Sequence, residues 1–103
     1  MKLTDIETLV GGVDAQARHG YTMSTESAYT YWEETQRLPF TSDDRHQEAW
    51  RFYVHRYTKD ESDSTAATLY NTLDADPRTT VIHTKDYDPE RGYFHHIYQC
   101  EGF

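Results

Sequence analysis

Two adjacent histidines, His95 and His96, share the aromatic run RGYFHHIYQCEGF with the single cysteine of the chain, Cys100. These are residue types that bind zinc or move protons. Their spacing limits what they can do together. In an extended strand, neighbours point to opposite faces. Tyr93, His95 and Ile97 therefore share one face, and Phe94, His96, Tyr98 and Cys100 the other. His83, in the strand-like run RTTVIHTK, faces one of the two histidines depending on register. Cys100 is roughly 13 Å from His96 along an extended strand, too far to share an ion. Zinc needs three or four convergent ligands, and this segment supplies two. The run reads as a hairpin strand, with no metal and no cofactor expected; a small metal protein or enzyme centred on His83 and His96 is the alternative.

The acidic residues offer two further patterns. In DYDPERG, Asp86, Asp88 and Glu90 alternate as they do in a calcium loop. The glycine comes one position late, however, and Ile97 stands where that loop needs a bidentate Glu. A solvated acidic turn fits better. Asp43 and Asp44 follow Ser42, where they complement a helix dipole. On a helix Glu33 and Glu34 point about 100° apart, so they do not converge. No G-x-S-x-G, H-E-x-x-H, glycine-rich phosphate loop or paired C-x-x-C is present. The sequence predicts a protein that is not an enzyme.

What remains is charge. Residues 1–59 carry nine acids against seven Lys and Arg; residues 60–103 carry nine against three, giving −2 and −6 of the total −8. Such a surface repels nucleic acid and anionic membranes and attracts basic proteins. Asp60, Glu61, Asp63, Asp74, Asp76, Asp86, Asp88 and Glu90 fall in loops and at element ends, with Tyr87 and Tyr93 beside them. Carboxylates among tyrosines suit docking to a basic partner, because charge speeds encounter and rings supply contact area. Carboxylates spaced like phosphates would also imitate nucleic acid. Three Lys against seven Arg, with abundant Asp and Thr, equally fits a salt-adapted proteome in which acidity is a solvation device.

The elements that must position these groups follow from periodicity. A first helix is predicted from a Thr4-x-x-Glu7 capping box and the stripe Ile6, Leu9, Val10, Val13 and Ala17, weakened by Gly11 and Gly12 and stopped at Gly20. STESAYTYWEETQRLPF predicts a second helix, with Ala28, Tyr31, Trp32 and Thr35 on one face and Pro39 ending it. TSDDRHQEAWRFYVHRYTK predicts a third, capped by Ser42, with a strand at about 50–58 as the alternative. STAATLYNTLDADP gives a short helix through Ala66, Leu69, Tyr70 and Leu73, stopped by Pro77. RTTVIHTK and GYFHHIYQC then form a hairpin around DYDPERG.

The expected fold is one α+β domain over residues 1–103, with three to four short helices packed on a C-terminal antiparallel β-hairpin. Leu, Ile, Val and Phe number only 16, so nine Tyr and two Trp must carry much of the burial. The N-terminus lacks a signal-peptide core and no run is long enough to span a membrane, so a cytoplasmic protein is expected. In size and charge the chain is similar to small acidic proteins of phages and other mobile elements that inhibit host nucleases or nucleic-acid-binding complexes. That similarity implies a stoichiometric inhibitor or modulator of a basic target. The alternative is a regulatory or immunity-type subunit pairing through its hairpin edge, with a partner or as a homodimer.

Overall fold

The computed structural model describes residues 1–39 and 48–103. Its elements are α1 (Leu3–Val13), β1 (Arg18–His19), β2 (Ala28–Arg37), β3 (Trp50–Thr58), α2 (Ser64–Ala75), β4 (Thr79–Asp88) and β5 (Tyr93–Gly102). The strands form one sheet in the order β1-β2-β3-β5-β4. All pairs are antiparallel except the short β1–β2 contact. Both helices pack on one face. Ile6 and Val10 of α1 and Leu69 and Leu73 of α2 meet Trp32, Phe52, Val54, Tyr98 and Cys100 in a single core.

The α+β class stands, but three or four helices on a hairpin do not. Among the described residues there are two helices on a five-stranded sheet. The predicted second helix is strand β2. Its consecutive residues Tyr29, Thr30, Tyr31 and Trp32 are all buried. Thr30 and Trp32 face the helices, while Tyr29 and Tyr31 pack with Tyr93 on the far side. Burial on both faces removes the alternation that marks a strand, and the residue types themselves, aromatic and β-branched, were the surviving signal. The predicted third helix is strand β3, as the alternative reading allowed; alternate residues Phe52, Val54, Arg56 and Thr58 are buried. Its expected cap Ser42, with Asp43, Asp44 and His46, lies outside the described residues.

Helix α1 stops at Val13, short of Gly20. Gly11 and Gly12 weaken its last turn, and the chain then extends through Asp14 towards β1. The cap also differs from the expected Thr4–Glu7 box: the Asp5 carboxylate accepts the Lys2 amide at 2.7 Å. Helix α2 forms as its stripe requires. Its N-cap is Asp63, whose carboxylate accepts the Ala66 amide at 3.1 Å. The β4–β5 hairpin pairs Thr79 with Gly102 through to Asp88 with Tyr93 without a bulge. Gly92, at φ 74°, closes its turn and donates its amide to the Asp88 carbonyl. No described helix is long and apolar enough to cross a membrane.

Candidate docking surface and histidine pairs

Among the described residues strand β4 is the last strand of the sheet, with only its inner side paired. Over its ten residues it carries no proline and no bulge. Its exposed side chains include Ile82 at 62% and Tyr87 at 50%. An open, regular edge of this length is a template for another strand. Native edges are usually guarded by charge, and here the one cation within the strand is Lys85.

The register of β3, β5 and β4 decides where the predicted acidic residues gather. Thr58 pairs with Phe94, and Phe94 with Tyr87. The β3–α2 loop with Asp60 and Glu61 therefore lies at the same end as Asp86, Tyr87, Asp88 and Glu90. Asp74 and Asp76 lie at the opposite end of α2. The acids differ in what already holds them. Asp63 binds Arg56 through both oxygens, at 2.8 and 3.3 Å, and caps α2. Burial pushes its pKa up, but the Arg56 bonds outweigh this and hold it below the usual range. Asp76 pairs with Arg78 at 3.0 Å, chiefly through hydrogen bonds that lower its pKa. Asp60 and Asp88 accept backbone amides within their own turns, and Asp86, inside β4, accepts the amide of Tyr87 at 2.8 Å. Tyr93 is buried and donates its hydroxyl to the Glu26 carbonyl.

Two of the cations at this end are turned towards the β2 side, while Lys85 lies over the Phe94 ring on the helix face. Lys59 and Arg91 both lie over the Tyr93 ring, at 5.2 and 4.9 Å, and Arg91 also donates to the Ser24 carbonyl. The loop end of β4 is left with Glu61, Asp86, Asp88 and Glu90 around it, and with Lys85 within the strand. Between β4 and α2 runs a groove of about 460 Å³, walled by Glu61, Ala67, Tyr70, Asn71, His83 and Lys85.

His95 and His96 do point to opposite faces, and each meets a different histidine. On the helix face His83 Nε2 and His96 Nδ1 are 2.9 Å apart. Their centroids are 5.1 Å apart and their planes within 15°. The rings therefore meet edge to edge, with room between the nitrogens for one proton. An ion chelated by both would need the lone pairs to converge at an angle. His96 is 6% exposed, and among the described residues its Nε2 has no hydrogen-bond partner. Burial lowers the pKa of both histidines, and each is lowered further by neighbouring positive charge.

On the open face Glu33, His55 and His95 form a chain. Glu33 Oε1 lies 3.3 Å from His55 Nε2, and His55 Nδ1 lies 2.9 Å from His95 Nε2. A carboxylate only accepts, so His55 donates from Nε2 and must accept at Nδ1. That leaves His95 to donate from Nε2. Burial, then the neighbouring His55, depress His95 to about 4. Tyr57 stacks on His95 at 4.0 Å and Tyr31 on His55 at 4.5 Å. In the sequence Glu33 counted only as half of a helical pair with Glu34, whereas both lie on strand β2. His55 did not stand out, because its meeting with Glu33 depends on β2–β3–β5 register.

No protein-family model matches the sequence, and no curated protein matches it.

Proposed function

We propose that this chain is a non-enzymatic protein-binding module that inhibits or modulates a basic, nucleic-acid-binding target, one to one. The observation that carries this reading is the outer side of β4. A strand edge without a partner among the described residues shows Ile82 on the open face and Tyr87 on the helix face, with Glu61, Asp86, Asp88 and Glu90 at its loop end. Lys59 and Arg91 are held over Tyr93, and Lys85 over Phe94. A partner laid along this edge meets an apolar side chain on each face of the strand, and the sign of the charge at its loop end selects a basic partner. Nucleic acid competes with this protein for the same groove of the target. The test is binding to that target with Asp86, Asp88 and Glu90 changed to Asn, Asn and Gln: association slows and loses its salt dependence. Unchanged association would remove these carboxylates from the interface.

A further inference from the structure

We infer that β4 takes up an extended, basic segment of the partner as a sixth strand, with one of its long cationic side chains seated in the groove between β4 and α2. The inference rests on the protein-binding reading above and adds the mode of contact and the chemistry of the segment.

Three observations converge on it. The first is the backbone. β4 pairs residue for residue with β5 over its whole length, so no bulge interrupts it. Apart from the Tyr87 amide, which Asp86 accepts, its outer amides and carbonyls lie in step for another strand. Pro77 and Pro89 stand just outside it and leave the rail between them uninterrupted. The second is alternation. An added strand sends alternate side chains to the two faces. On the open face they meet Thr80, Ile82 and Thr84; on the other they enter the α2 groove.

The third is the groove itself. Tyr70 and Ala67 offer apolar surface for an alkyl stem, and the Glu61 carboxylate lies at the loop end. The Tyr70 ring sits 5.7 Å from that of His83, forming a wall that suits a cation. His83 is bonded to His96 and faces the groove without a formal charge at neutral pH, because burial lowers the pKa of both. Lys85 is placed over the Phe94 ring at 5.1 Å.

A second copy of this chain is the competing occupant. Self-pairing would bring together two chains of net charge −8, each with Glu61 and Asp86–Glu90 at the loop end of the strand. Like charges at contact distance cost about 1 kcal/mol a pair even in water. Arg78, the cation nearest the strand's start, is already paired with Asp76 and Asp5. Charge therefore selects a basic strand.

The test uses the intact protein and a synthetic peptide of alternating Lys and Val. Expected are one-to-one binding, slowed hydrogen exchange at outward-facing β4 amides, and a loss of about tenfold or more when alternate peptide amides are N-methylated. The same peptide with Glu for Lys binds at least about tenfold more weakly. Tyr70→Ala and Glu61→Gln, both on exposed positions, weaken the Lys peptide while leaving the melting temperature in place. Absence of binding, protection elsewhere than β4, or indifference to N-methylation overturns the inference. So does a dimer whose β4 amides are protected before any peptide is added. Loss of target binding on neutralising Asp86, Asp88 and Glu90, with β4 amides still unprotected, would sink strand addition alone; no response in either experiment sinks the protein-binding reading as well.

Discussion

Arg56 on β3 and Asp63 at the start of α2 meet at 2.8 Å, Nε to Oδ2, with the guanidinium residue only 7% exposed. Asp14 and Thr30 complete the cluster at 3.4 and 3.2 Å, so one cation joins the end of α1, β2, β3 and α2. Removing one partner of a buried pair costs about 3–5 kcal/mol where the remaining charge is uncompensated. Here Asp63→Ala leaves Arg56 with the Asp14 carboxylate at 3.4 Å, so that range is the upper bound. Asp63→Ala also deletes a helix cap, worth about 1 kcal/mol. Urea denaturation should show this single change as severe. The double variant Arg56→Met with Asp63→Ala should lose clearly less than the sum of the two single changes.

Stability should fall with acid through the histidines. His95 has a folded pKa of about 4 against an ordinary value near 6.5. The unfolded chain therefore binds a proton first. Stability is full above about pH 6.5, declines as pH drops towards 4, and levels off for this group below that. The loss from His95 is on the order of 2–3 kcal/mol, after allowance for partial exposure. His55, His83 and His96 are shifted downwards and add to the slope. Thermal melts from pH 7 to pH 4 should show it, and His95→Gln should flatten it.

Cys100 should be chemically silent. Its thiol is fully buried in the core, and burial pushes its pKa up to about 12. Thiolate is the reactive form. A thiol reagent at mild alkaline pH should leave the folded protein unmodified and label one thiol per chain once denaturant is added. Rapid labelling of the native protein would contradict this packing.

Tyr98 is buried and donates its hydroxyl to the Ala66 carbonyl of α2 at 2.6 Å, tying helix to sheet. Tyr98→Phe removes the donor, while the Ala66 carbonyl keeps its helical partner in α2, so the cost is that of one hydrogen bond, about 0.5–1.5 kcal/mol. Denaturant titration should resolve it, with the fold retained because the ring still fills its site.

The parts of this fold that depend on neighbours in sequence were legible before the structure. Helix α2 followed from its Ala66–Leu69–Leu73 stripe and Pro77, and the hairpin from two strand-like runs around Gly92. The placement of His95 and His96 on opposite faces followed from strand geometry alone. Helix-like spacing in Tyr31, Trp32 and Thr35 misled, because β2 is buried on both faces and shows no clean alternation. The pairing of β3 between β2 and β5 was not readable, since register is a non-local property. With it went the Glu33–His55–His95 chain and the use of Asp63 as a partner for Arg56. The acidic series was visible as composition. That Asp63 and Asp76 are held by arginines, while Glu61, Asp86, Asp88 and Glu90 lie around one strand edge, required the fold.

The central claim, docking to a basic target through the acidic side of β4, is tested most directly by association kinetics across ionic strength. The target captured from the native host would be measured against the unchanged protein and the Asp86→Asn, Asp88→Asn, Glu90→Gln variant. The surface changes should alter stability by no more than about 0.5 kcal/mol. Expected are a wild-type association rate that falls steeply with added salt, a variant that starts slower and hardly responds, and displacement of both by nucleic acid. Identical rates and identical salt dependence for the two proteins would contradict it.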